Sequence, residues 1–500
     1  MRVRGSAKTL VVVGIACLLA VPSHRRHQAP ATPQFERVQP ERFAASGAQP
    51  NAWADYDNDG DLDLFVGFRY RPSRLYRNDR GTFADVAPQV GLADTVETRA
   101  AAWGDFDGDG DFDLFVGFAA TGRGRAKLYR NDDNGRRFTD VAAQHGIALE
   151  GTTRQPAWID YDQDGDVDLF VAYRDQPNRL LRNDGSRFTD VTDQTGIGDP
   201  RRTVGVAWFD MDRDGDLDAF VANQDGDQDG FFRNDGGKFT DVAPALGMNW
   251  AGRPADQGSV GPAIADYDND GDLDIFVATY GPDVLWQNQG NGTFKLVSQG
   301  TALAGDYHST TAAWGDYDND GWPDLFVASY LADQAEAPDH LFHNERGTFV
   351  NVTPAAMLEK GASHGIAWAD FDADGDLDLA LANNHRDGAH HLYRNLLAAA
   401  AAARSLQVRV VDARGRWIHA GAEIRAYDAA SGRLLGTGLV DSGGGYCSQG
   451  ATPAHFGLPD GTSLVKVEVT TFRAGRRRVT AVDRVNPEAH RGRALEIRIQ

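Results

Sequence analysis

Cysteine is nearly absent from this chain: its 500 residues include only Cys17 and Cys447. A run long enough and apolar enough to cross a membrane is missing as well. The N-terminal stretch Leu10–Val21 spans 12 residues, follows the basic Arg2, Arg4 and Lys8, and ends in the small-residue exit Val21-Pro22-Ser23. That is too short for a bilayer, so residues 1–23 read as a cleaved export signal rather than an anchor. The expected location is periplasmic, secreted or cell-surface, with no integral membrane span in the mature chain. Cys17 offers a lipoprotein alternative, weakened by Gly14 where a branched apolar residue is usual. Cleavage would leave Cys447 alone, which excludes an internal disulfide and calls for another stabiliser in an exported chain. Cys447 reads as a buried strand thiol, with a reactive or intermolecular role as the alternative. Positive charge is also scarce: 50 Lys and Arg against 72 Asp and Glu give a formal charge of −22. Such a balance argues against nucleic acid as a partner. No nucleotide-binding glycine loop is present, nor a Ser-His-Asp set in recognisable context.

The acidity is unevenly spread. From Arg404 to Gln500 there are 15 Lys and Arg against 9 Asp and Glu, whereas the residues before them hold 35 against 63. This shift places a domain boundary near residue 400, where Ala398–Ala403, inside 396–404, read as a linker or helical spacer. Ahead of the boundary the chain repeats. Aspartate runs begin at Asp55, Asp105, Asp160, Asp210, Asp266, Asp316 and Asp370, spaced by 50, 55, 50, 56, 50 and 54 residues. Each run follows a short apolar stretch and precedes a "DLFVG"-like run, an "LYRN"-like element and a G-x-F turn into F-x-x-V. Four strand signals separated by Gly, Asp and Asn turns, repeating every 50 residues or so, match a β-propeller blade.

The last of these signals is displaced. F-x-x-V occurs at Phe83, Phe138, Phe188, Phe239, Phe294 and Phe349, but no copy follows the seventh "LYRN" at Leu392–Asn395. The missing copy stands at the front, Phe35–Val38. Residues 35–38 are therefore expected to supply the outer strand of the seventh blade and join the ends of a ring over 35–395. A linear array of independent hairpins would explain the loops but not this displacement. The expected fold class is all-β: a seven-bladed β-propeller followed by a small β-sandwich-like domain over 405–500. In that tail "LQVRVVD", "VKVEV" and "LEIRI" alternate apolar and polar residues.

The runs read D-x-D-x-D-G-D-x-D. Their positions one, three, five, seven and nine are, loop by loop, Asp55, Asp57, Asp59, Asp61 and Asp63, then Asp105, Asp107, Asp109, Asp111 and Asp113. Next come Asp160, Asp162, Asp164, Asp166 and Asp168, followed by Asp210, Asp212, Asp214, Asp216 and Asp218. The last three sets are Asp266, Asp268, Asp270, Asp272 and Asp274; Asp316, Asp318, Asp320, Trp322 and Asp324; and Asp370, Asp372, Asp374, Asp376 and Asp378. Carboxylates one, three, five and nine can turn inward on one tight loop while position seven offers its backbone carbonyl. Oxygen donors in that number suit Ca²⁺, and Gly at position six permits the turn. Trp322 at position seven fits a backbone ligand and not a carboxylate one. An EF-hand would need Glu at position twelve and flanking helices, but Val66, Val116 and Val171 stand there and the flanks read as strands. The runs hold 34 of the 72 acidic residues, so about seven Ca²⁺, one per blade, would supply folding energy in place of disulfides.

These loops, with "DLFVA", "LYRN" and "FTDV", resemble FG-GAP/VCBS-type calcium propellers, the architecture of integrin α-subunit heads. In the tail, "GAEIRAYDAASGRLLG", "GGGYCSQ" and His455–Leu458 resemble the ASPIC/UnbV domain. Together they are similar to bacterial relatives of cartilage acidic protein. The tail departs from that pattern at Thr470–Arg478, where the family often carries a W-P-x-G-like turn, and the chain has no cysteine-rich module. Arg476–Arg478 could meet an acidic ligand or the acidic propeller, or form a solvated basic turn.

The resemblance implies calcium loops on one face, between first and second strands, so the loops before strand one and after strand two face the other way. Before strand one stand Arg99, Arg154, Arg202, His308 and His364. After strand two come Arg69, Tyr70, Tyr173, Arg174, Asn223, Tyr280, Tyr330, Asn384, His385 and Arg386. Such a surface suits an anionic or polyhydroxylated ligand, a glycan or an extracellular protein. His385, His390 and His391 lack the spacing of a helix-borne zinc motif. Two functions are expected: a non-catalytic adhesion or ligand-binding module, or a calcium-stabilised enzyme working on the face opposite the calcium loops.

Overall fold

In the computed structural model, the described residues are 32–119, 124–330, 338–358, 362–417, 419–451 and 453–499. The expected signal segment, residues 1–23 with Cys17, lies outside them. Among the described residues no helix is long and apolar enough to cross a membrane.

The architecture is all-β. Each aspartate run joins two antiparallel strands. Thr98–Gly104 pairs with Asp113–Phe118, which pairs with Lys127–Asp132, which pairs with Arg137–Asp140. The other runs build sheets of the same order. First strands such as Ala48–Ala54 and Thr203–Phe209 are buried along their whole length, and polar residues in them are bonded, as Gln49 Nε2 is to the Thr98 carbonyl at 3.0 Å. Fourth strands alternate instead, as in Arg137–Asp140, where Phe138 points inward. Short helices unforeseen from the sequence follow five of them, for example Ala142–His145, closed by the left-handed Gly146.

The displaced element pairs where the sequence places it. Phe35, Glu36 and Arg37 lie opposite Asn395, Arg394 and Tyr393. Neighbouring sheets are tied by the asparagine of each "LYRN". Asn131 Nδ2 donates to the Tyr56 carbonyl at 2.8 Å, Asn183 to Phe106 at 2.8 Å and Asn234 to Tyr161 at 3.3 Å. Asn288, Asn344 and Asn395 continue the series onto Met211, Tyr267 and Tyr317 at 3.2, 2.8 and 2.7 Å. Asn78 then links back to Phe371, on the last aspartate loop, at 2.7 Å.

After the last of these sheets Ala399–Ala402 form a single helical turn, the spacer alternative of the sequence reading. The tail folds into a three-stranded and a four-stranded sheet, and Val408, Val410, Ile424, Val467 and Ile497 share one core. A feature the alternation pattern did not foresee is the path of Gly443–Gln449. It runs among the first strands of the repeats. Val206 and Gly445 form a bridge, Asn51 N donates to the Cys447 carbonyl at 3.1 Å, and Ser448–Gln449 pair in parallel with Asn51–Ala52. Gln449 closes on Trp103, accepting from its backbone N–H at 2.6 Å and donating to its carbonyl at 3.0 Å. The wall makes room with glycine: a Cβ on Gly365 would lie 2.2 Å from the Cys447 carbonyl oxygen.

Candidate functional site

One aspartate loop shows how all are built. Position nine is fixed first. Asp113 is fully buried, and its two oxygens accept the backbone N–H groups of Phe106 at 3.2 Å and Asn131 at 2.8 Å. Position one follows: Asp105 Oδ2 accepts from Gly110 N at 3.1 Å, a glycine held at φ 99° by the tight turn. Its Oδ1 is buried and has no partner, as is the Oδ1 of Asp55, Asp160, Asp210 and Asp266 at the same position. Position-three oxygens of Asp57, Asp268, Asp318 and Asp372 are orphaned too. Positions one, three and nine bring a ligand oxygen each within 4.8 Å of one another, for example in Asp55, Asp57, Asp63; Asp105, Asp107, Asp113; Asp160, Asp162, Asp168; and Asp210, Asp212, Asp218.

Burial and mutual repulsion raise these carboxyls. Burial, with the charges of Asp109 and Asp107, pushes Asp105 up to about 7, and Asp160 and Asp370 rise to about 7 for the same reasons. Position seven varies: Asp376 resembles position one, with a buried unpartnered Oδ1 and a carboxyl that burial and Asp374 push up to about 8, but others differ. Asp61 Oδ2 accepts from Arg80 N at 3.0 Å and Asp216 Oδ2 from Gly236 N at 2.9 Å, so these side chains serve the outer hairpin. Trp322 is half-buried at the same position. Orphaned buried oxygens in an all-oxygen set fit a hard cation such as Ca²⁺. The sixth loop adds a nitrogen that the sequence reading missed. His343 stands where most repeats carry the arginine of "LYRN", and its Nδ1 lies 3.0 Å from Asp324 and 3.5 Å from Asp318. Burial alone would lower this imidazole, but its bond to Asp324 and the surrounding carboxylates raise it to about 9.

The tail sits on these loops. Arg477 Nη1 donates to Asp210 Oδ2 at 2.5 Å, Thr437 Oγ1 to Asp266 Oδ2 at 2.8 Å, and Gln407 Nε2 to Asp370 Oδ2 at 2.7 Å. Thus Arg477 meets the acidic loops, while Arg476 and Arg478 are exposed. Beside Gly444, Ser448 and Gly450 remains a cavity of about 310 Å³, lined among others by Trp314, Trp368, Asp441 and His455.

At the opposite ends of the same strands the other candidates gather, though not all. Arg154 is 7% exposed, and its Nη1 donates to the Tyr446 hydroxyl at 3.2 Å. A chain of rings surrounds it: His308 stacks on Tyr280 at 4.0 Å, Tyr280 faces Tyr330 at 6.4 Å, Tyr330 meets His364 at 5.0 Å, and His364 meets Tyr446 at 5.8 Å. Arg99 joins the group but is paired to Glu97 at 2.7 Å. Arg202 and Arg174 are engaged by Asp227 and Asp225, and Tyr173 is wholly buried in the core. His385 accepts from Asp387 N within its own turn, and Arg386 is exposed beside it. His390 is buried and bonded to Asn51. Tyr446 was invisible as a member of this group, because the sequence places it about 80 residues after His364 in the tail.

FG-GAP-like repeats are matched at residues 55–116, 118–171, 160–221, 210–277, 266–327 and 321–381. Cartilage acidic protein 1 of Mus musculus is 38% identical over 69 residues, which are 13% of this chain and 10% of that protein's length. Among solved structures, an Agrocybe aegerita lectin specific for non-reducing terminal N-acetylglucosamine aligns at 18% identity and TM-score 0.41, over 62% of this chain and 81% of its own. The exotype rhamnogalacturonan lyase YesX aligns at 13% identity and TM-score 0.40, over 71% and 72%.

Proposed function

We propose that this chain, which belongs to the FG-GAP-like repeat family, is an exported calcium-binding protein that acts as a non-catalytic binding module for a glycan or an extracellular protein. Its propeller has seven blades, closed by residues 35–38. The links from each "LYRN" asparagine to the preceding loop, returning from Asn78 to Phe371, support that closure. Residues 405–500 form an ASPIC/UnbV-like, sandwich-like domain docked on the loop face.

The observation that carries the reading is the set of buried, unpartnered Oδ1 atoms at position one of five loops. Leaving such atoms unpaired costs about 1–3 kcal/mol each. Calcium held by positions one, three, five and nine, with the position-seven carbonyl, would neutralise the carboxylates and supply folding energy. The chain's own groups do the rest: Asn131 and its counterparts fix position nine, and Gly110 and its counterparts set the turn.

Binding is favoured over catalysis by the tail. Gly443–Gln449 occupy the space ringed by the first strands, where a propeller enzyme would work, and the cavity left is of small-molecule size. Thermal melting of the chain with calcium and after chelation tests the calcium reading. A large drop on chelation is expected, and equal melting temperatures would overturn it. Turnover of a polysaccharide or small-molecule panel by the calcium-loaded chain would overturn the non-catalytic reading.

A further inference from the structure

Arg154 is a buried cation on the face opposite the aspartate loops, 7% exposed. Its surroundings are the phenols of Tyr446 and Tyr280 and the thiol of Cys447. Among the described residues no carboxylate pairs with it, and Nε has no partner. The nearby imidazole cannot share the charge: burial, with the fields of Arg99 and Arg154, pushes His364 down to about 3, so it stays neutral. A buried guanidinium without a counter-charge is costly and is normally matched by an anion.

We propose that Arg154 and Tyr446 form the floor of a carboxylate-binding site, and that its ligand is a uronic-acid unit of an acidic glycan. This rests on the binding reading above and names its ligand class. The rim chooses the sugar. Tyr280, Tyr330 and His308 are half-buried; since Tyr280 and His308 already stack on each other, the C–H face of a pyranose would pack on the outer side of that stack and on Tyr330. Arg99, Arg174 and Arg202 are already spent on Glu97, Asp225 and Asp227, so a densely acidic peptide would find fewer free cations here than it needs, with Arg386 exposed at the rim. One carboxylate per ring matches one buried guanidinium. The site is completed only by the tail, since Tyr446 reaches it at the tip of the inserted Gly443–Gln449 segment.

Calorimetric titration of the calcium-saturated full chain with oligoglucuronate, its methyl ester and an acidic hexapeptide tests this. Oligoglucuronate should bind and the ester and peptide should not. Arg154→Met should weaken binding roughly tenfold to a hundredfold, the worth of a hydrogen-bonded charge pair. Without sugar, Arg154→Met should melt no lower than wild type, because it removes an unpaired buried charge. Tyr446→Phe, which takes away one hydroxyl, gives a second reading if the methionine variant folds poorly, and should bind measurably more weakly. The proposal fails if the acid does not bind, if the ester or the peptide binds as well as the acid, or if both variants bind it like wild type. Any of these beside an intact chelation-induced drop in melting temperature would sink the uronate site alone and leave the calcium reading standing.

Discussion

At the scale of single residues, the position-one aspartates decide how the metal-free protein responds to pH. Burial and neighbouring carboxylates raise Asp105, Asp160, Asp266 and Asp370 from 3.8 to about 7. A group whose folded pKa lies above its unfolded value holds more protons when folded. Its contribution to stability is therefore complete below pH 4 or so and is lost as the pH rises through 7. Metal-free protein should accordingly melt at a falling temperature as pH goes from about 4.5 to about 7.5, and calcium should remove most of that slope. Scanning calorimetry on dialysed, metal-free protein across this range, with and without calcium, checks the sign. A metal-free melting temperature that rises with pH would contradict it.

One scale up, the element that matters most is the displaced strand. Phe35 is 8% exposed and packs between Tyr317 and Trp368, each 6.4 Å away between ring centroids. Phe35→Ala should cost about 3 kcal/mol, the usual loss for a buried phenylalanine, measurable by urea unfolding. Substitution of Val479, an exposed tail-strand residue, should have little effect. The pairing of Phe35 with Asn395 was legible in the sequence because a missing F-x-x-V can be counted. The clustering of the aspartate oxygens was legible for a similar reason: position and spacing repeat seven times. What the sequence did not show depends on contacts between distant segments. His343 beside Asp324 was hidden because a single "LFHN" reads as an ordinary variant of "LYRN". Arg154 and His364 were picked as surface groups, yet both are buried, because the tail covers them. Strand periodicity fixes which face of its own sheet a side chain occupies, but carries no information about a loop arriving from nearly 300 residues away.

For the whole molecule, hydrogen bonds join the aspartate loops to the tail that carries Gly443–Gln449. Thr437, Gln407 and Arg477 hold the tail by the position-one carboxylates of three loops, the same residues proposed to hold calcium. If chelation lets those carboxylates repel and the loops open, the tail loses its footing and Gly443–Gln449 loosens in the ring. Cys447 reports on this directly. It is 1% exposed, its N–H is held by Gln155 Oε1 at 2.9 Å, and burial pushes its thiol up to about 11, so it should be inert in the loaded protein. With Cys17 removed or replaced by Ser, it is the single thiol. Reaction with a disulfide reagent at pH 8 should be slow with calcium and many-fold faster after chelation, at temperatures below the unfolding transition. Gly365→Val should speed the reaction even with calcium present, because its side chain would enter the space of the Cys447 carbonyl. Equal labelling rates with and without calcium, in a protein whose melting still falls on chelation, would mean that the metal stabilises the sheets without governing the tail.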